Sequence, residues 1–234
     1  MLKRSFFVFL LMFLYMNSYL SGDSTDMSLL KKKIPEYTSI IEKTVNDMSK
    51  NRATYDELVK SASTASMLIQ IIDDWNMKLK AAQLGFNIAK TLMKKYPDKP
   101  AGYHYSGLFL SMVGIYKGPQ YFLNYIVTIK NWVLHAIKID PAFNHGAPYI
   151  LLCGLYFEIP GFPVSIGDIY IAKKYCETAL KKFPHNCTTY PFLAAIYDTL
   201  GEKSNASYYL NAGEKMCKPV NSSLEEKVWT EKDL

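Results

Sequence analysis

The chain has 234 residues, and 49% of them are hydrophobic, which is enough to bury one sizeable core and argues against disorder of the whole chain. Its 27 basic and 21 acidic residues give a formal net charge of +6. Charges of both signs are scattered, and no basic run is longer than residues 31–33, so the composition argues against nucleic-acid binding. We interpret these three lysines as a solvated helix start rather than a lipid-headgroup patch.

The N-terminus has the pattern of an export signal. Two basic residues precede an apolar run from Phe6 to Met16, and a polar stretch follows. Such a run is short for a transmembrane helix, which needs about 20 residues, but it suits a secretory leader. We predict that residues 1–22 form a signal peptide or, because the cleavage site is poor, an uncleaved anchor. The protein would then be exported, and an uncleaved leader would keep it associated with a membrane. It has no lipobox cysteine, because its first cysteine is Cys153.

Apolar residues recur at helical intervals along the rest of the chain, and proline or glycine separates the segments. No segment shows the alternation of a strand. Thr54 and Glu57 have the spacing of a capping box. The predicted helices span roughly residues 29–48, 54–72, 75–96, 103–116, 121–139, 147–157, 166–183, 188–200 and 203–216. Short connections between them predict antiparallel neighbours in an all-α fold.

The C-terminal half carries a repeat pattern. Ala172, Cys176, Ala179 and Pro184 follow one another at the intervals typical of the second helix of a tetratricopeptide repeat. We therefore predict tetratricopeptide-like helical-hairpin repeats, an α-solenoid, over residues 23–219, followed by a polar tail over residues 220–234. A hairpin cannot bury its apolar face alone, so stacked hairpins share one core and leave a curved surface for binding.

The first helices of the hairpins carry candidate binding residues, which are Tyr103, His104, Tyr149, Tyr156 and Tyr190. Tyrosine combines apolar area with a polar tip, and the chain has 18 of them, so these side chains suit a partner or ligand surface. The alternative is that most of them pack one repeat against the next.

The segment from Glu158 to Asp168 is much longer than an ordinary hairpin turn. Its two prolines restrict the backbone, its glycines permit unusual angles, and Ser165 with Asp168 three residues on is placed to cap the next helix. A rigid apolar loop around Phe162 would line a ligand opening or meet a partner. The alternative is a structural plug that covers the end of the hairpin.

Several motifs in this region resemble one known family. They are the residues Ala136, 140–143, 145–149, 154–156, 160–163, 165–168 and Ala172. In order and spacing they resemble the T component of TRAP-type transporters. The resemblance extends from about residue 84 to residue 210 and includes His145, which we add to the candidate site. Ile150 stands where that family often carries arginine, which makes carboxylate binding less expected.

The resemblance implies a periplasmic helical-repeat protein that binds the solute-binding subunit of a TRAP system, associates with itself, and helps to handle an apolar or carboxylated small molecule. No nucleophile elbow, metal-ligand spacing or nucleotide-binding loop occurs, so we expect a non-enzymatic protein with no cofactor and no metal site. Two alternatives remain: a carrier that itself holds the apolar ligand, and a generic exported tetratricopeptide-like interaction module.

All four cysteines lie in the C-terminal half, and disulfides are expected in an exported protein. Cys187 and Cys217 lie at similar distances from the turn near Gly201, so we predict a bridge between them. Cys153 and Cys176 flank the long loop and offer a second pair. Both are placed in mid-helix, however, where free buried thiols are the more common outcome.

Overall fold

The computed structural model describes residue 28 and residues 30–216. The predicted leader (1–22) and tail (220–234) lie outside the described residues. Within the described part the chain forms nine α-helices and one 3-10 helix, Phe143–Gly146. The α-helices are α1 (Ile34–Ser49), α2 (Tyr55–Ile71), α3 (Trp75–Lys95), α4 (Pro100–Lys117), α5 (Pro119–Ile139), α6 (Ala147–Glu158), α7 (Ile169–Lys182), α8 (Thr189–Thr199) and α9 (Lys203–Met216).

The helix boundaries follow local rules that the sequence makes visible. The backbone N–H of Thr54 donates to Glu57 Oε2 at 3.0 Å, and Glu57 N–H donates to Thr54 Oγ1 at 3.4 Å, which confirms the predicted capping box. Pro100 and Pro119 lie in the first turns of α4 and α5. Proline is tolerated there because its missing N–H would have no partner in the helix. Both helices therefore begin earlier than the periodicity predicts.

Each α-helix packs against the next one along the chain, which confirms the all-α, helical-repeat fold. The first helices of neighbouring hairpins also meet, α2 with α4 and α6 with α8. Because the connections are short, consecutive helices are antiparallel. The α2–α3, α4–α5, α6–α7 and α8–α9 connections therefore lie at one end of the stack, which we call the turn end. None of the described helices is both long enough and apolar enough to cross a membrane.

Helix α4 is the central element of the N-terminal half, and nearly all of its surface is buried. It approaches α3 very closely at Gly102, where a Cβ atom would lie 2.4 Å from the backbone nitrogen of Met93. On the other side, α4 packs against α5, and Val133 and Phe122 fill the space beside its glycines. Small residues thus allow α4 to be enclosed by both of its neighbours.

A disulfide bond joins Cys153 on α6 to Cys176 on α7, with 5.4 Å between their Cα atoms. The expectation that these two residues are free thiols is wrong. Antiparallel helices bring residues at similar distances from the connecting loop opposite each other, and Ala172 and Ala179 allow α6 to approach α7. Cys187 is also disulfide-bonded. Its pairing with Cys217 stays a prediction, because that residue lies outside the described part of the chain.

Candidate binding site

The connection between α6 and α7, residues 159–168, is an ordered loop fastened at its base by backbone hydrogen bonds. Gly167 N–H donates to the carbonyl oxygen of Pro160, and Asp168 N–H donates to that of Tyr156, both at 2.9 Å. A further bond from Val164 N–H to Gly161 O, 3.1 Å long, closes the tip. These bonds hold the two arms of the loop together, so its tip has a defined position relative to the helices.

Gly167 is required by the close approach of the two arms. A Cβ atom at this position would lie 1.9 Å from the carbonyl oxygen of Ile159, which is backbone and has no room to move aside. Only glycine therefore lets the arms meet at this point. Ile159 belongs to the cluster of buried side chains shared by α4, α5 and α6, and Ile166 packs against it, which attaches the base of the loop to the core.

The tip of the loop is apolar and faces solvent. Phe162 is 94% exposed and Val164 is also exposed, as are Tyr170 and Ile171 in the first turn of α7. The segment from residue 159 to residue 167 contains no charged side chain. An exposed phenylalanine on a fixed backbone covers no other part of the described chain. This favours a contact surface over a plug at the tip of the loop, whereas the base is packed against the core.

Asp168 has a structural role at the end of the loop. Its Oδ1 accepts hydrogen bonds from the backbone N–H groups of Tyr170 at 2.8 Å and Ile171 at 3.0 Å, so Asp168 is the N-cap of α7. The predicted cap by Ser165 together with Asp168 is wrong for Ser165, because α7 begins only at Ile169. Tyr156 lies at the opposite foot of the loop, half-buried, with its ring stacked on Tyr175 at 5.7 Å between centroids. Burial raises the pKa of Tyr156. Of the predicted residues, the loop thus gathers Tyr156, Phe162 and Asp168.

Glu158, the last residue of α6, is a notable group that the sequence interpretation missed. It is only 7% exposed, and its Oε1 has no hydrogen-bond partner. Burial raises the pKa of its carboxyl to about 8. The negative end of the α6 dipole also disfavours a carboxylate at this position. Glu158 is therefore a neutral acid at pH 7, directly beside the loop. The sequence signal that points to a buried acid here is the position of Glu158 between the apolar residues Phe157 and Ile159.

His104 is enclosed by aromatic rings near the start of α4. It is 3% exposed, its Nδ1 has no partner, and the rings of Tyr105 and Phe143 lie 5.1 and 5.5 Å from its own. Burial lowers the pKa of His104 to about 4, so the imidazole is neutral at pH 7. Tyr103 beside it is half-buried, with its ring 4.3 Å from that of His135.

The remaining predicted residues lie at the opposite end of the stack from the loop. Tyr149 and Tyr190 are buried, and Tyr190 donates a hydrogen bond to the carbonyl oxygen of Pro184 at 2.9 Å. His145 has a left-handed backbone with φ of 51°, and its carbonyl oxygen accepts a hydrogen bond from Asn186 at 3.0 Å. These residues and the loop do not form one site.

The expectation of an exposed curved surface is wrong for His104, Tyr149 and Tyr190, because neighbouring hairpins enclose the first helices on which they lie. These three side chains instead pack one repeat against the next, which is the alternative given in the sequence analysis. No group of three or more histidine, cysteine or acidic residues suited to a metal ion occurs among the described residues.

The fold is that of an all-helical repeat protein, and its candidate binding element is the loop around Phe162. No protein-family model matches the chain, and no curated protein sequence matches it significantly. The assignment to the T component of TRAP-type transporters therefore stays a prediction from the motifs.

Proposed function

We propose that this protein is an exported, non-enzymatic scaffold that binds the solute-binding subunit of a TRAP-type transport system. One observation carries the proposal, namely the exposed Phe162 on a loop whose base is fixed to the helical core. The motif resemblance is the basis for the proposed partner. The geometry of the loop is the basis for the proposed binding surface.

The energetics favour this loop as a contact point. Burying a phenylalanine side chain against a partner contributes about 1.5–3 kcal/mol. The loop backbone is already ordered by the bonds of Gly167 and Asp168, so little conformational entropy is lost on binding. A rigid aromatic anchor of this kind is typical of the few residues that supply most of the binding energy of an interface.

The two alternatives predict different findings. A generic exported interaction module would use the same loop to bind a protein unrelated to solute transport. A carrier would hold an apolar molecule that organic solvent extracts from the purified protein. The proposed scaffold requires neither a cofactor nor a catalytic residue.

Replacing Phe162 by aspartate tests the proposal. The tagged full chain is purified from its native host, and the co-purifying proteins are identified by their peptides. We expect a TRAP solute-binding protein with the native chain. We also expect about 30-fold weaker binding by Phe162→Asp, the effect of a hot-spot residue contributing about 2 kcal/mol.

The matched control is Tyr208→Asp, which places the same charge at an exposed aromatic position on α9. The Tyr208→Asp variant should co-purify with the same partner as the native chain. Equal recovery with Phe162→Asp and the native chain would contradict the proposed surface. A partner of another class would favour the generic module.

A further inference from the structure

The second helices of three consecutive hairpins, α3, α5 and α7, form an outer layer of the stack. Each of them begins at the turn end and ends at the opposite end, so the three run parallel. Phe86 on α3 contacts Trp132 on α5, with 6.3 Å between their ring centroids. Ile137 on α5 packs against a buried cluster that includes Ala179 on α7. The three helices are thus neighbours, and α5 lies in the middle.

The outward side of α5 is an uncharged strip. Five exposed positions recur at intervals of four and three residues, so they lie on one side of the helix. They are Gln120, Asn124, Val127, Asn131 and Leu134. Val127 is 55% exposed and Leu134 is 37% exposed. The middle of the outer layer therefore presents two aliphatic side chains among neutral polar ones.

Exposed lysines border this strip on both sides. On α3, Lys90 lies on the side of α5, because its Nζ is 4.9 Å from the centre of the Phe86 ring, which in turn contacts Trp132. Further exposed lysines lie on α3, α5 and α7. We call the strip the centre, and these lysines the rim, of one outer face, the rim being Lys90, Lys94, Lys138, Lys174, Lys181 and Lys182.

Acidic side chains leave this rim uncompensated. In the described part of the chain the ion pairs are formed by other basic residues. Helices α3 and α5 contain no acid, and the one acid of α7, Glu177, accepts a hydrogen bond from the hydroxyl of Tyr197 on α8 at 2.9 Å. Glu177 lies two positions from Tyr175 and so projects to the opposite side of α7. Asp74 and Asp168 cap α3 and α7 at the turn end.

The acids that follow α3 and α5 interact with a first helix instead. They are Asp98 and Asp140, and both act on Tyr55 at the start of α2, whose pKa is raised by burial, Asp56, Asp140 and Asp98 in that order. Charges that are scattered along the sequence are thus segregated by the fold. The net charge that the outer face presents is positive.

Stabilisation of helix ends does not account for the whole rim. Lysines in a last helical turn offset the negative end of the helix dipole, which explains Lys94, Lys138 and Lys181 one by one. Lys90 and Lys174 lie more than one turn before the ends of their helices. The absence of acids along α3 and α5 is not explained by the dipole either.

We propose that the outer face binds a protein whose surface is acidic around an uncharged, apolar centre. Protein interfaces are depleted of charge at their centre and have a polar rim, which is the arrangement of the strip and the lysines. A lysine rim attracts an acidic partner over a distance and raises the association rate. This surface is additional to the Phe162 loop.

The dimensions of the outer face suit such a partner. A helix of this length spans about 30 Å, and three neighbouring axes span about 20 Å. The face therefore offers on the order of 600 Å², close to the roughly 800 Å² that each partner contributes to a standard interface.

A nucleic acid or a lipid bilayer fits this face less well. Both are held mainly by cations at the place of closest contact, whereas the middle of the outer face is uncharged. A bilayer surface also favours tryptophan and tyrosine, and none of the five outward positions of α5 carries an aromatic ring.

A benzophenone-bearing phenylalanine analogue in place of Asn131 tests the inference in the full chain in its native host. Illumination should join the chain to a protein that is identified by its peptides and that has an acidic surface. Lys94→Glu, Lys138→Glu and Lys181→Glu together should lower the yield of this product about tenfold, because the electrostatic attraction is reversed.

The matched control is Lys50→Glu, Lys60→Glu and Lys215→Glu, which changes the net charge equally at exposed lysines outside the outer face. This control should retain the product. Replacing acidic residues of the identified partner by lysine should restore the product with the charge-reversed chain, a rescue that a merely misfolded variant would not show.

Several results would overturn the inference. They are equal yields from the native and charge-reversed chains, no rescue by the altered partner, a product that contains a second copy of this chain, a lipid or a nucleic acid, and no product with the analogue at either Asn131 or Val127. Phe162→Asp should leave the product unchanged, because the loop lies at the turn end and most of the rim at the opposite end. Loss of the product in that variant would overturn the outer face as a separate surface.

Discussion

Replacement of Glu158 by glutamine is expected to make the protein more stable than the native chain at pH 8, with no such gain at pH 4. The carboxyl titrates near 4.5 in the unfolded chain, and its pKa in the folded chain is raised to about 8 by burial. Between these values the native state retains a proton that the unfolded state has released. The free energy of unfolding therefore falls as the pH rises, by about 1.4 kcal/mol per pH unit, and levels off above pH 8.

Glutamine stays neutral and has a similar shape, so Glu158→Gln should remove this dependence. The measurement is chemical denaturation of both proteins from pH 4 to pH 9. The difference between them should grow steadily from about pH 5 and reach several kcal/mol, because each unit of pKa shift corresponds to about 1.4 kcal/mol. A difference that is flat across this range would show that Glu158 is not held as a neutral acid.

Glu57 provides a control of opposite sign. Its pKa is lowered by hydrogen bonds from the backbone and side chain of Thr54. Its contribution to stability is therefore present above the unfolded pKa and is lost as the pH falls. Glu57→Gln should destabilise the protein at neutral pH, and this effect should fade on acidification instead of growing toward pH 8.

Gly102→Ala is expected to destabilise the protein by about 3 kcal/mol, the upper part of the range for overpacked cores. The added Cβ would lie 2.4 Å from the backbone nitrogen and 2.5 Å from the Cα of Met93. Backbone atoms of α3 have no alternative rotamer, so α3 and α4 would have to separate. Chemical denaturation at fixed pH measures the loss, which should appear as a lower midpoint with an unchanged slope.

Gly154→Ala is the matched control, because it places the same methyl group in a buried helix. Its nearest neighbour is the ring of Phe192 at 3.1 Å, a side chain that is able to shift. Alanine also favours the helix over glycine by about 1 kcal/mol, which offsets the crowding. We expect stability near that of the native chain. Equal losses in the two variants would contradict the close approach of α3 and α4.

Much of the fold follows from the sequence, because helices depend on local signals. Proline and glycine end the helices near the predicted positions, and the pair of Thr54 and Glu57 caps α2 as expected. The cap of α7 is Asp168 and not Ser165 with Asp168, because that helix begins later than the periodicity predicts. The starts of α4 and α5 lie earlier than predicted, because proline was interpreted only as a break between segments, whereas Pro100 and Pro119 lie in first helical turns.

The candidate site was harder to predict, because exposure is decided by neighbours that are distant in sequence. Phe162 and Tyr149 are both aromatic residues in apolar surroundings, yet one is almost fully exposed and the other is buried. The length of the loop predicted that Phe162 projects from the stack, but no local pattern in the sequence distinguishes it from Tyr149. The bond between Cys153 and Cys176 was missed for a similar reason, since their distance depends on the register of α6 against α7.

Contacts between segments that are distant in sequence were also beyond prediction from local patterns. Lys31 and Asp73 are 42 residues apart, and Trp75 and Tyr116 are 41 residues apart in the chain.

The central claim, that Phe162 is where this scaffold holds its partner, is tested most directly by placing a photo-crosslinking phenylalanine analogue at position 162 of the full chain in its native host. Illumination should join the chain covalently to the solute-binding protein of a TRAP system, identified by its peptides, and the same analogue at the exposed position 208 should not. Crosslinking to that protein from position 208 but not from position 162 would contradict the account.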